Sequence, residues 1–180
     1  MDDVERREVL IDLEKAVRIF TSNEKSHILI PEVRTNIGYA LTNPSGIQDV
    51  AAIPGRITVA FGKAVYCLPP AFGASDHIAR VILTAMKYDK SIRSAMNIAL
   101  YPQFFKLNAY IFDRSKEPNF QKPVEGKTMN FMIDSAVRET GGVPEFIIDK
   151  GDFGKEPGMF VLGKNPNDVI TKALQLLSLL

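Results

Sequence analysis

Cysteine and histidine are scarce in this chain of 180 residues: Cys67 is the sole thiol, and His27 and His77 are the only imidazoles. One cysteine makes no intrachain disulfide and no cysteine-based zinc site. No run approaches the 18 or so apolar residues of a membrane-spanning helix. The opening Met1-Asp2-Asp3 and the charges through the first eight positions are unlike a signal peptide, so the cytoplasm is the expected compartment. An excess of one charge is lacking too. Lys plus Arg number 22 and Asp plus Glu 21, leaving +1. Whole-molecule charge therefore gives no case for nucleic acid or an acidic membrane as partner, and any basic patch must be local. There is no dinucleotide-binding glycine fingerprint, no Walker-type phosphate loop, no internal repeat and no long Ser/Gly/Pro linker.

What remains is an ordinary soluble composition, 46% hydrophobic and 24% charged. A chain of this length buries roughly 70% of the surface its unfolded form exposes, so residues 1–180 are expected to form one domain. Apolar residues at helical spacing predict a first helix over Asp3–Thr21 (Leu10, Leu13, Val17, Phe20). A second is predicted from about Ala74, with Ser75 as its cap and an Ile78, Val81, Ile82, Ala85 stripe. A third covers Thr128–Thr140, with Met129 and Met132 inward and Gly141-Gly142 as its stop. The last opens on Asn165-Pro166. Strands are predicted over Ser26–Ile30, Asp49–Ile53, Arg56–Phe61, Ala64–Leu68, Met96–Tyr101, Asn108–Phe112, Glu145–Asp149 and Met159–Leu162, with Gly62-Lys63 as a hairpin turn. Lys116–Gly126 is expected as a loop inside the domain. Because strands come in runs rather than in strict alternation with helices, a mixed or largely antiparallel sheet carrying helices is expected.

Three stretches carry candidate chemistry. In Phe72-Gly73-Ala74-Ser75-Asp76-His77, a small-residue turn leads straight into a helix, and His77, Arg80 and Thr84 share a helical face away from the apolar stripe. Such an end suits a phosphate, since dipole, backbone N–H groups and cationic side chains act with one sign. The pattern fits a capped turn with a solvated polar face equally well. Pro54-Gly55-Arg56, between two strands, can aim a planar guanidinium at a diphosphate or hold a surface pair. Asp149-Lys150-Gly151-Asp152-Phe153-Gly154-Lys155-Glu156-Pro157 reads as a charged hairpin loop, with Lys155 as a phosphate ligand and its carboxylates as hard-cation ligands as the functional alternative. Cys67 is expected as a small core residue. His27 opens a strand without a motif around it.

These phrases, taken in order, resemble the ThiN-type thiamine-phosphate synthase domain, which occurs alone, behind a hydroxymethylpyrimidine phosphate kinase, or as the sensor half of some transcription regulators. The resemblance runs from about Val9 to the C-terminus. It rests on Ile30-Pro31-Glu32-Val33 with Asn36-Ile37, on Asp49-Val50-Ala51-Ala52-Ile53-Pro54-Gly55-Arg56-Ile57, and on Phe72-Gly73-Ala74-Ser75 with His77. Arg93-Ser94-Ala95-Met96-Asn97-Ile98, Asp113-Arg114 with Glu117-Pro118, and Asp149, Gly151 and Gly154-Lys155-Glu156-Pro157 complete it. It implies a three-layer α/β/α fold with a mixed, mostly antiparallel sheet, similar to the class II aldolase (AraD-like) group. It implies a transferase that joins hydroxymethylpyrimidine diphosphate to hydroxyethylthiazole phosphate, releasing diphosphate. By motif, the arginine and histidine the family requires fall on Arg56 and His77. Gly73, Ser75, Arg80, Arg93, Asn97, Arg114 and Lys155 are expected around the substrate phosphates. Mg²⁺ is expected from diphosphate chemistry, with no ligands assigned. A homodimer is expected from the fold relatives, and a separate pyrimidine phosphate kinase as functional partner.

The alternative is a non-catalytic thiamine-phosphate sensor. Regulators of that kind tend to lack the arginine, the histidine and the opening helix, whereas all three stand here. With that helix beginning at the N-terminus, no DNA-binding segment is expected ahead of it. An aldolase like the fold relatives needs three histidines on one metal, and this chain has two. Two departures from the family pattern are expected to alter the pocket edge: Arg34-Thr35, where small residues are common, and Gly38, where alanine is frequent.

Overall fold

The computed structural model describes residues 2–119 and 126–180. Among these, four helices flank one sheet: α1 (Asp2–Ser22), α2 (Asp76–Tyr88), α3 (Lys127–Thr140) and α4 (Pro166–Gln175). The strands are β1 (Ile37–Ala40), β2 (Val50–Ala52), β3 (Ile57–Ala60), β4 (Lys63–Tyr66), β5 (Ala71–Phe72), β6 (Ser94–Ala99), β7 (Tyr110–Phe112), β8 (Phe146–Asp149) and β9 (Gly158–Gly163). Seven of them form a sheet in the order β5-β2-β1-β6-β9-β8-β7, and β3 pairs with β4 as a separate hairpin. Every pairing in the large sheet is antiparallel except β7 with β8. This is the expected three-layer α/β/α architecture with a mixed, mostly antiparallel sheet.

Both faces of the sheet are covered, so consecutive strand residues are apolar on both sides. Met96, Ile98, Ile148, Met159 and Val161 pack with α1 and α4 through Leu13, Val17, Phe20, Val169 and Ile170. Their strand neighbours Ala95, Ile147, Phe160 and Leu162 pack with α2 and α3 through Val81, Ile82, Met132 and Ile133. The side-chain period of two thus divides one sheet between two cores. The helix starts follow their sequence signals. Ser75 Oγ accepts from the Ile78 N–H, and Asn165 Oδ1 from the Asp168 N–H with Pro166 behind it. Gly141 stops α3 at φ +85°. α1 is also pinned to the sheet edge by Arg6, which donates to Asp49 Oδ1 at 2.9 Å and lies 4.0 Å over the Phe72 ring. Bonds from the Ser45 backbone and hydroxyl, followed by that of Arg6, hold the Asp49 carboxyl below its ordinary range.

Three expectations fail for identifiable reasons. Ser26–Leu29 is a 3₁₀ turn rather than a strand: Ile28 N–H donates to Lys25 O and Ile30 N–H to His27 O, so local bonds replace a ladder. The hairpin turn is Phe61-Gly62, one residue earlier than Gly62-Lys63. Both residues have positive φ, +50° and +71°, as a two-residue turn of the favoured hand requires. Cys67 is exposed, because the chain leaves β4 before reaching it. The polar face of α2 is divided: Thr84 is buried against α3 and bonds Asn130 at 3.2 Å, while His77 is exposed. Of the loop expected over Lys116–Gly126, residues 120–125 lie outside the described residues.

The strand β1 went unforeseen, since Ile-Gly-Tyr-Ala carries neither alternation nor β-branched enrichment. It is buried along its whole length. Gly38 is the reason that α2 approaches so closely: a Cβ there would stand 2.6 Å from Ile78 Cγ2 and 2.8 Å from Ile82 Cδ1. Gly38→Ala is therefore expected to lower stability by about 1–3 kcal/mol through overpacking. Gly142→Ala, which enters open space, should stay within about 0.5 kcal/mol. Urea melts of both variants measure the difference.

Candidate active site

One cavity of about 510 Å³ opens where β7 and β8 end and β1 and β9 begin. Its floor is Asn97 and Ile98 of β6 with Gly158–Phe160 of β9. Its walls come from residues 31–36, from Arg56, from the start of α2, from Arg114 and Glu117, and from the 152–157 loop.

Asn36 organises one wall. Its buried side chain accepts from the Ile37 and Ile53 N–H groups at 2.9 and 3.0 Å and donates to Ile53 O at 3.0 Å. Ile53 O also accepts from the Arg56 N–H at 3.0 Å, closing a turn with Pro54-Gly55 at its corner and Gly55 at φ +77°. Pro-Gly is the pair this turn type favours. Arg56 follows at φ +66°, a left-handed backbone that costs a non-glycine residue about 1–2 kcal/mol. Its Nη1 donates to Val33 O at 2.6 Å.

His77 stands in the first turn of α2, exposed at the cavity beside Ser75. The unpaired N–H groups of that turn give the same end a positive field. Gly73 lies just outside the cavity. At φ +75° it turns the chain from β5 toward α2, and its N–H extends the ladder to Val50 O.

The remaining predicted residues divide. Lys155 is exposed on the cavity rim, its backbone bridged to Asp152 around the Phe153-Gly154 tip. Asn97 lines the cavity, but its amide is spent on backbone: Oδ1 accepts from the Asn36 N–H at 2.7 Å and Nδ2 donates to Arg34 O at 2.9 Å. Arg114 also lines it, gripped by Asp149 through Nε at 3.1 Å and Nη2 at 2.8 Å. This pair, nearly buried, ties the exits of β7 and β8 and cancels most of the Arg114 charge.

Two predicted residues lie elsewhere. Arg80 faces α3, bonded to Asp76 and packed on Gly126, where any side chain would collide with it. Arg93 lies 4.6 Å over the Tyr39 ring, donates twice to Ala40 O and reaches Glu5 at 3.5 Å, so it fastens α1 to β1. It precedes β6 by one residue, outside the strand's regular alternation, so its position was not given by the strand that carries Asn97.

Asn36 and Phe153 carry no sequence signal that marks them as individual site residues, and Arg34 stands out only as a departure from the family pattern. Phe153 is fully exposed at the rim. Glu156 and Glu117 are further contributors. Glu156 Oε1 accepts from the Glu32 N–H at 3.0 Å, while Oε2 is buried without a partner among the described residues. Glu117, 3% exposed, takes a bond from the Thr128 hydroxyl.

The family model for thiamine-phosphate synthase ThiN matches residues 12–175. The chain belongs to the ThiN family. It is 36% identical over 172 residues to the thiamine-phosphate synthase ThiN of Methanothermobacter thermautotrophicus, covering 92% of this chain and 90% of that protein. The bifunctional thiamine biosynthesis protein ThiDN of Methanocaldococcus jannaschii is also 36% identical over 168 residues, but this ThiN chain spans only 40% of its length. Among solved structures, the C-terminal domain of a phosphomethylpyrimidine kinase superposes with a TM-score of 0.90 at 35% identity, covering 96% of this chain and all of that one. An L-fuculose-1-phosphate aldolase from Thermus thermophilus shares the fold at a TM-score of 0.50 and 11% identity, covering 93% and 89% of the two chains. The expected likeness to the class II aldolase group is thus one of fold.

Asn36→Ala removes three buried bonds from this ThiN domain and strands the Ile53 N–H and one acceptor site of its C=O. It is expected to cost roughly 3 kcal/mol, read by chemical denaturation. An unchanged midpoint would refute the role given to this side chain.

Proposed function

We propose that this chain is a thiamine-phosphate synthase acting in thiamine biosynthesis. The observation that carries the proposal is that Arg56 and His77, 21 positions apart and on different elements, line the same cavity. In the reaction, the bond between the pyrimidine methylene carbon and the diphosphate oxygen breaks, and the electron pair leaves with diphosphate. The aminopyrimidine ring stabilises the methylene cation, and the thiazole nitrogen then forms the new carbon–nitrogen bond. Catalysis therefore consists of holding the charge that develops on the leaving group. Arg56 clamps the diphosphate, and His77 bonds or protonates it from the positive end of α2. Ser75 fixes that helix end, while Lys155 on the rim supplies a further cation. Asn97 and Arg114 serve as supports of the cavity wall.

Mg²⁺ enters this proposal as the counter-ion that arrives on the diphosphate substrate. Among the described residues, no three His, Cys, Asp or Glu side chains gather to hold a resident ion, and Asp149 is occupied by Arg114. A kinase that phosphorylates the pyrimidine is the functional partner, in keeping with the bifunctional architecture named for ThiDN. No described helix is long and apolar enough to cross a membrane, and a cytoplasmic setting is proposed.

A homodimer is part of the same proposal. Val4, Ile11 and Ile19, at heptad-like spacing on α1, are each about half exposed, and Phe61 projects fully from the β3–β4 tip. Apolar groups so placed fit an isologous interface. Light scattering should return twice the 20.0 kDa chain mass; a monomer at all concentrations would discard the dimer.

Purified protein given both phosphorylated substrates and Mg²⁺ should yield thiamine phosphate, measured after conversion to fluorescent thiochrome. Arg56→Ala and His77→Ala should each lower kcat/KM by at least about 100-fold. Tight binding of thiamine phosphate with no turnover under any condition would replace the synthase by a sensor.

A further inference from the structure

Arg34 has a backbone as unusual as that of Arg56. Its φ is +77°, and it and Arg56 are the two cavity-lining residues other than glycine with positive φ among those described. Strain of this kind persists where the surroundings enforce it. Here the enforcement is visible. The Arg34 N–H closes a turn onto Pro31 O at 3.0 Å, the Glu32 N–H is held by Glu156, and Arg34 O is held by Asn97. Thr35 then bridges to Ile57 in both directions, at 3.1 and 2.7 Å.

The outcome is that two guanidinium groups are tethered to consecutive carbonyls of one turn. Arg34 Nη1 donates to Glu32 O at 2.9 Å, and Arg56 Nη1 donates to Val33 O at 2.6 Å. Neither group has a carboxylate within ion-pair distance among the described residues. Arg6, Arg18, Arg80, Arg93 and Arg114 all do. A neutral carbonyl orients a guanidinium without cancelling its charge. The Nε and Nη2 donors of both arginines also carry no bond among the described residues, and these form the fork that grips phosphate oxygens two at a time. A lone guanidinium suits one phosphoryl group, whereas two anchored on one turn suit a pair of linked phosphoryl groups.

We propose that Arg34 is a second anion-binding residue of this site, forming with Arg56 a two-guanidinium clamp for the diphosphate group of the pyrimidine substrate. The proposal rests on the synthase reading for the identity of that substrate. Asn97 and Glu156 act through the turn as positioning residues.

Calorimetric titration of the full chain with inorganic diphosphate tests it, using Arg34→Gln, Arg34→Lys and Arg34→Gly. The glycine variant relieves the positive φ and is the one to read if Arg34→Gln melts early. Arg34→Gln or Arg34→Gly should weaken diphosphate at least tenfold, and inorganic monophosphate much less. Arg34→Lys should recover only part of the loss. In the synthase assay, KM for the pyrimidine diphosphate should rise while KM for the thiazole phosphate holds. Diphosphate affinity within twofold of the unsubstituted protein in both neutral variants would overturn the clamp, as would a rise in the thiazole phosphate KM alone. Diphosphate binding that depends on Arg34 in a protein that forms no product would retain the clamp and reject the synthase.

Discussion

The interaction on which the site depends is the asparagine pair Asn36 and Asn97. Asn97 Oδ1 accepts the Asn36 N–H, and the Asn97 N–H donates back to Asn36 O at 3.3 Å. The Asn36 side chain meanwhile completes the ladder at the end of β2, where Ile53 has no strand partner left. Three strands are locked at one corner in this way. The turn into Arg56 and the turn into Arg34 both grow from that corner. Buried amides so fully bonded cost little to keep, but removing one leaves backbone groups with neither water nor partner.

The distribution of charge follows from the same geometry. Four arginines serve the fold: Arg6 and Arg93 fasten α1, Arg80 pairs with Asp76 and packs on Gly126 ahead of α3, and Arg114 ties two strand ends through Asp149. At the cavity the pattern inverts, with Arg34 and Arg56 held by carbonyls and His77 exposed at a helix start. Carboxylates line the cavity too, at Glu117, Asp149, Asp152 and Glu156. Because none of the described ones pairs with Arg34 or Arg56, those two guanidinium groups stay available to an anionic ligand.

Much of this was legible before the structure. Ser75 and Asn165-Pro166 marked helix starts because caps are local chemistry, and Gly141 marked a stop for the same reason. The unbroken apolar run Met159–Leu162 belonged to a strand buried on both sides. Pro54-Gly55 announced the turn that presents Arg56. Other features depended on distant partners. Arg93 is a cation in a cation-bearing motif, yet it spends its charge on Ala40 O and Glu5, which only the packing supplies. Ser26–Ile30 has strand-like composition but no strand beside it. Cys67 follows an apolar run yet falls beyond the end of its hairpin.

The sequence by itself determined the helices, most of the strands, and the family pattern that set Arg56 and His77 apart, since caps, turns and periodicity act over a few residues. Its scarcity of histidine also removed an aldolase-type metal site from consideration. The tertiary structure alone decided which cations converge, because a left-handed φ at Arg34 and at Arg56 is imposed by Asn36, Asn97 and Glu156 from far along the chain. It also committed the Asn97 amide to backbone groups and Arg93 to Ala40, Tyr39 and Glu5. Those outcomes rest on hydrogen bonds between segments up to 124 positions apart, and no local propensity encodes them.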